Sequence, residues 1–457
     1  MIAGALFLAL SLQEPGALTV DGSEDRPVEQ AAPVGRCMTL PETIDAALDL
    51  APQLGQAEAE RDVARARVLA TRSRSLPQVS TFGTLGLGDT LPIDTVRDDQ
   101  VGFRANWDLF TFGQQQAAID EARQTLRAAQ AGELQAQTEI AEQTILLYYE
   151  LLRTSKMAAL TQAQVDGYAQ EADTVERQLE RGLVTRSDAR QIEARFASSE
   201  ASLELASLRA DEVAMELSVL TGREIRCVEE PSAIRLGEAL ATVLGTLEPA
   251  EAYVLAEDNA FFLAQAKSQV RAAEARYRGA RRAGLPTISL NAFVIGVFDD
   301  GDFVMGDRWS RDDRVGFSFR QDFYTGGRLR ADRLESRARL RGASAEFEAQ
   351  RQQLELAVRT AVLGVQRQGA VQSRRAAATD AARDRLDTTV LELERGTKTI
   401  TDFVLANEDY YRTALDEVAT LWARDQALVR LASLTGVLLN VDPAATRNMD
   451  VDIRVLE

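Results

Sequence analysis

Val101-Gly102-Phe103-Arg104-Ala105-Asn106-Trp107-Asp108-Leu109-Phe110-Thr111-Phe112-Gly113 is the stretch on which the architecture turns, and the chain contains it twice. The second copy, Val315-Gly316-Phe317-Ser318-Phe319-Arg320-Gln321-Asp322-Phe323-Tyr324-Thr325-Gly326-Gly327, lies 214 residues further on. In the first copy Val101, Phe103, Ala105, Trp107 and Leu109 alternate with Gly102, Arg104, Asn106 and Asp108. In the second, Val315, Phe317, Phe319 and Phe323 stand on one face, with Gly316, Ser318, Arg320 and Asp322 opposite. Strict period-two alternation predicts strands with one apolar and one polar face, over 101–109 and 315–323. Alternating partners precede them at 78–88 and 287–297, so the chain carries four strands in two pairs.

The repetition runs without a gap from residue 101 to 222. Leu179-Glu180-Arg181-Gly182 returns as Leu393-Glu394-Arg395-Gly396, Asp188 as Asp402, and Leu220-Thr221-Gly222 as Leu434-Thr435-Gly436. A match of this length means that one folded unit was duplicated, at a period far beyond that of solenoid repeats. The halves span 38–222 and 251–440, with a connecting segment at 223–250 and a tail at 441–457.

Within each half a helix leads to a proline, over 39–76 and 251–285, and Pro77 and Pro286 stop it because proline cannot continue the hydrogen-bond ladder. Thr39 is the candidate cap of the first. After the strands come proline-free helices of unusual length, 114–181 and 328–395, each about 100 Å long at 1.5 Å per residue. Ile140, Thr144, Leu147 and Leu151 in one, and Phe347, Leu354, Val358, Ala361 and Val365 in the other, keep heptad spacing. The returning helix of the second half continues the seam through Val404, Tyr411 and Val418, and through Ala414, Leu421 and Leu428. Such seams predict helices packed side by side over a great length. Tight tips join them at 181–188 and 395–402. Gly182 and Gly396 are the expected left-handed residues, and Asp188 and Asp402 fall in the first turn of the returning helices, where the dipole favours an anion.

Composition removes several classes of function. The 457 residues include no histidine and two cysteines, which excludes the commonest general base and cysteine-rich zinc sites. A net charge of −18 argues against a nucleic-acid partner. No nucleophile or paired-carboxylate motif for an enzyme is present, and no cofactor is expected. The apolar run at 2–12 suits the hydrophobic region of a secretory signal ending near residue 17, followed by a flexible leader over 18–37; the alternative is a short buried helix. Export would allow Cys37 and Cys227 to form a disulfide, the alternative being two free thiols.

Strands of nine to eleven residues with one apolar face suit a membrane-spanning sheet. Aromatic residues collect at one end of them: Trp107, Phe110 and Phe112, then Phe323 and Tyr324, as expected at a lipid interface. The competing reading is hairpins on a soluble core, in a periplasmic coiled-coil scaffold or adaptor without a pore. An open sheet edge is forbidden in lipid, so four strands must close with strands of other chains.

Leu-Pro before the first strand, Asp108-Leu109-Phe110-Thr111-Phe112-Gly113 and Asp322-Phe323-Tyr324-Thr325-Gly326-Gly327 at the strand exits, the two tips and the Leu-Thr-Gly helix ends together resemble the TolC-like outer-membrane factor family, over about residues 38–440. The resemblance implies a mainly α chain with a small β part. It further implies a homotrimer with a twelve-strand barrel in outer-membrane lipid and a twelve-helix tunnel through the periplasm of a Gram-negative bacterium. Such a duct is a passive exit for efflux or type I secretion, docking onto a periplasmic membrane-fusion adaptor and an inner-membrane pump of RND or ABC type. Carried over to this chain, Asp402 and Asp188, with Lys398, belong to a periplasmic gate. Gly182, Leu183, Val184, Thr185, Gly396, Thr397 and Thr399 form tips that meet the adaptor. Two positions depart from a well-studied member of that family: Leu405 where a second gate aspartate stands, and Leu393 where a gating tyrosine stands. A trimeric ring of Asp188 and Asp402 would favour cations; the alternative role for each aspartate is to cap its helix.

Overall fold

Pairing of the four strands organises one end of the molecule. In the computed structural model, which describes residues 37–90, 94–182, 184–299 and 308–440, they are β1 (Gln78–Thr90), β2 (Asp94–Phe110), β3 (Thr287–Asp299) and β4 (Arg308–Arg320). They form one antiparallel sheet in the order β1-β2-β3-β4, so the two repeats join through β2 and β3, and β1 and β4 are its edges. Every element belongs to one compact unit, which takes in the described residues from Met38 onward. Residues 1–36 of the expected signal and leader, and the tail at 441–457, lie outside the described residues.

β4 stops at Arg320, three residues short of the expected end. Arg320 pairs with Thr287, the first residue of β3, and Pro286 before it has no N–H to extend the ladder. Phe323 and Tyr324 therefore lie beyond the strand. β2 reaches Phe110 because a bulge between Asp108 and Phe110 lets Phe110 pair with Ile288.

Each expected leading helix is two helices. α1 (Leu40–Leu50) and α2 (Pro52–Ser73) meet at Ala51, whose backbone is extended (φ −60°, ψ 115°) because a residue before proline is kept from the helical region. α6 (Pro249–Asn259) and α7 (Phe261–Arg282) meet at Ala260 with nearly the same angles and no proline. Here tertiary packing holds the break: Gly436 lies so close that an added Cβ would stand 2.5 Å from the Asn259 carbonyl oxygen. Thr39 caps α1 in a reciprocal box with Glu42.

The two long helices, α3 (Gln114–Glu180) and α8 (Arg328–Glu394), run 67 residues each without interruption. α4 (Arg186–Thr221) returns along α3 as a single helix. Its counterpart is split into α9 (Ile400–Val418) and α10 (Ala423–Leu434), although the sequence seam runs through the gap. The cause is Trp422, which adopts a left-handed backbone (φ 60°) and turns its indole into the core, whereas Leu208 at the equivalent place in α4 is exposed. The strain of about 1–2 kcal/mol is offset by burying the ring against Tyr149 and under the Lys156 ammonium, 5.0 Å from its centroid.

The connecting segment carries α5 (Glu230–Leu244), and around it lies the principal apolar core, drawn from α3, α5, α6, α7, α8 and α10. Tyr148 ties this core together. Its hydroxyl lies 2.9 Å from the Met38 carbonyl and 2.8 Å from the Glu229 carbonyl, and accepts from Glu229 N at 2.8 Å. Burial pushes this phenol up to about 12. No described helix is long and apolar enough to cross a membrane.

Candidate functional site: the strand sheet and the helix tips

The sheet has two chemically distinct faces. Val79, Val101, Phe103, Trp107, Leu290, Val294, Val315, Phe317 and Phe319 share one face in the pairing register, and most are exposed, Phe317 at 75%. On the other face Ser289 donates to Asp108 at 2.6 Å and Asn291 to Ser318 at 2.7 Å. An exposed apolar face of this extent, backed by a hydrogen-bonded polar one, is a surface for lipid on one side and water on the other. At about 3.3 Å per residue and a tilt of about 40°, a 13-residue strand covers roughly 33 Å, the thickness of a hydrocarbon core.

The aromatic residues at the strand ends adopt different settings. Trp107 donates from Nε1 to the Ser75 carbonyl at 2.9 Å, which fixes the ring at the mouth of α2. Phe110 and Phe112 meet edge to face at 4.6 Å, Phe112 with a left-handed backbone (φ 50°). Phe323 and Tyr324 are about nine-tenths exposed.

The tips at the far end of the helices are built alike. Gly182 (φ 72°) and Gly396 (φ 74°) end α3 and α8, donating to Leu179 O and Leu393 O. Thr185 and Thr399 then cap α4 and α9, each in a reciprocal box with the aspartate three residues on. Oδ2 of Asp188 accepts from Thr185 N at 3.0 Å and from its hydroxyl at 2.7 Å; Oδ2 of Asp402 accepts from Thr399 N at 3.0 Å and from its hydroxyl at 2.8 Å. Within the chain, then, both aspartates cap helices. The Thr399 bonds, helped by Lys398 and Arg385, hold the Asp402 carboxyl below its ordinary range, the opposite sign to repulsion within a carboxylate ring. Lys398 and Thr397 are exposed, and Thr397 donates from its backbone and hydroxyl to Glu392 O. Leu183 lies outside the described residues.

Between the two tips sits an apolar cluster that the sequence reading missed: Tyr168, Val175 and Ile192 against Ile400, Phe403 and Val404, with Val184 and Leu393 packed on it. It joins the second hairpin to the first, helped by Arg195–Glu408 at 2.7 Å and by Thr401 donating to Gln191 at 3.3 Å. Leu393 thus makes an apolar contact with the cluster, and Leu405 is half-exposed. Ile400 against Arg186 at the equivalent position was the available signal. Away from both sites, neither Cys37 nor Cys227 is a free thiol, and Met38 and Val228 form a parallel bridge. Among the described residues no cluster of histidine, cysteine or carboxylate side chains could hold a metal ion.

The model of the outer membrane efflux protein family matches residues 43–223 and 252–437, one match for each repeat. The chain belongs to this family. Outer membrane protein TolC of Escherichia coli (strain K12) is 25% identical over 419 residues, which are 87% of this chain and 82% of TolC. Among solved structures, a membrane protein from Pseudomonas aeruginosa superposes with a TM-score of 0.74 at 19% identity, covering 87% of this chain and 90% of the other. The outer membrane protein VceC from Vibrio cholerae gives 0.72 at 20% identity, covering 87% and 96%. The TolC-like resemblance in the sequence is therefore real. This member is an outer-membrane transport protein of the channel-forming kind, with its sheet in the Gram-negative outer membrane and its helices extending into the periplasm. The family is one of efflux channels, not of enzymes.

Proposed function

We propose that three copies of this chain close their sheets edge to edge into one barrel and their hairpins into one tunnel, forming a passive exit duct. The observation that carries the reading is that β1 and β4, on a sheet with an exposed apolar face, each have one edge without a partner strand among the described residues. Each unpaired backbone group in hydrocarbon costs several kcal/mol, so the edge of β4 must pair with β1 of a neighbour. Three four-stranded sheets then make a twelve-strand barrel, a size that leaves a water-filled bore.

The tips form the periplasmic mouth in this reading. Gly182, Val184, Thr185, Gly396, Thr397 and Thr399 present the surface that a periplasmic adaptor engages, and the adaptor couples the duct to an inner-membrane pump for efflux or type I secretion. Asp188 and Asp402 line the opening with Lys398, each aspartate serving as cap and as part of the ring. The apolar cluster and the Arg195–Glu408 pair keep the second hairpin against the first. The test is the subunit count of the mature protein extracted from membranes, by light scattering with detergent mass subtracted. A trimer that requires detergent is expected; a monomer released without detergent would refute the shared barrel.

A further inference from the structure

The polar face of the sheet carries one row that departs from the rest. Reading across the strands, the register places Ser80 of β1 opposite Arg104 of β2, Arg104 opposite Phe293 of β3, and Phe293 opposite Arg314 of β4. Phe293 in this row and Phe82 beside it point to the face that also bears Asn106, Asp108, Ser289, Asn291 and Ser318, with Ile295 in the row of Phe82, and each phenyl ring supports a guanidinium. Arg104 lies 5.0 Å from the centroid of Phe82, and Arg314 lies 5.3 Å from that of Phe293. Phe82 has room because Gly102 is opposite it: a Cβ there would stand 3.1 Å from the ring and 2.5 Å from the Val294 carbonyl oxygen. The duplication did not create the row. The counterpart of Arg104 in the second repeat is Ser318, and that of Arg314 in the first is Gln100.

A guanidinium laid on an aromatic face is weakly hydrated, and its N–H edges stay directed outward in a fork that matches carboxylate and phosphate oxygens. Asp312 takes part of the Arg314 charge, at 3.0 Å, so the two arginines and this aspartate sum to a positive charge in a protein of net charge −18. We propose that Arg104 and Arg314, stacked on Phe82 and Phe293, form an oxyanion-contacting belt on the inner wall of the barrel, a transient site for carboxylate- and phosphate-bearing solutes leaving the duct. The belt rests on the barrel reading above, which turns the polar face inward and repeats the row in three subunits. It gives the exit a cationic step, whereas the aspartates of the tips give the entrance an anionic one.

The test uses the full-length protein in planar bilayers. The reversal potential in a KCl gradient is compared between wild type and Arg104→Gln with Arg314→Gln, and pyrophosphate is added on the barrel side as blocker. Pyrophosphate should reduce wild-type current in a salt-dependent way, and the double variant should weaken that block about fivefold and shift the reversal potential toward potassium. Arg104→Lys with Arg314→Lys keeps the charge and should keep the selectivity, so it carries the test if the glutamine variant does not assemble. Normal pores with unchanged reversal potential and block in the glutamine variant would reduce the arginines to braces of the sheet and overturn the proposal. So would a wild-type pore indifferent to pyrophosphate, or a lysine variant whose pores lose the selectivity. Absence of any wild-type pore would instead strike at the barrel itself.

Discussion

Replacing Asp425 by asparagine should stabilise the protein, and only above the pH at which the carboxyl ionises. Asp425 lies in the first turn of α10, just after the left-handed Trp422. Its carboxylate fits against α5 only because residue 237 is glycine, since a Cβ there would stand 2.6 Å from the carboxyl carbon. Burial raises its pKa from 3.8 to about 6; Arg424 opposes the rise and Glu238 adds to it, and Tyr149 of α3 faces the same space. A folded pKa above the unfolded one means that the native state binds the proton more tightly. Stability is then lost as pH rises through the interval from 3.8 to about 6. A shift of about two units corresponds to roughly 3 kcal/mol, an upper figure because the group retains some solvent. The amide of the Asp425→Asn variant is nearly isosteric and carries no charge to desolvate. Thermal midpoints of the detergent-extracted protein, taken at one scan rate, should be higher for the variant at about pH 8 and converge with wild type near pH 4. A difference that stays constant with pH, or destabilisation at pH 8, would refute the assignment of a strained buried charge.

Three further outcomes concern the tips and turns. Asp402→Asn keeps an oxygen for the Thr399 amide and removes the charge, so it should lower cation preference in bilayers while losing less stability than Asp402→Ala, which also forfeits the reciprocal cap. Unchanged selectivity in D402N would leave Asp402 as a cap alone. Gly396→Ala meets nothing within 4 Å and should cost only the left-handed strain, about 1–2 kcal/mol. Gly436→Ala adds a collision with the Asn259 carbonyl and should unfold at least about tenfold faster than Gly396→Ala, one decade being about 1.4 kcal/mol; equal unfolding rates would show that the α6–α7 break does not depend on that contact.

Whatever is periodic or local in this protein can be read from its residues in order. Alternation at 101–109 marks a strand wherever it folds, and heptads without proline over 114–180 mark a helix, because side-chain period and backbone geometry are coupled residue by residue. The tips are legible for the same reason: a glycine, a threonine and an aspartate three residues on satisfy a helix end without help from elsewhere. Features that depend on partners distant in the chain emerge only in the folded molecule. β4 ends at Arg320 because β3 begins at Thr287, and the alternation carried on to Phe323 could not reveal that. α9 and α10 separate because the indole of Trp422 finds a buried place beside Tyr149 and Lys156, although the heptad pattern passes straight through. Ala260 breaks a helix with no proline to announce it, held by the turn at Gly436. Arg104 and Arg314 stand in one row because strand register, not the 214-residue repeat, sets which residues are neighbours across a sheet.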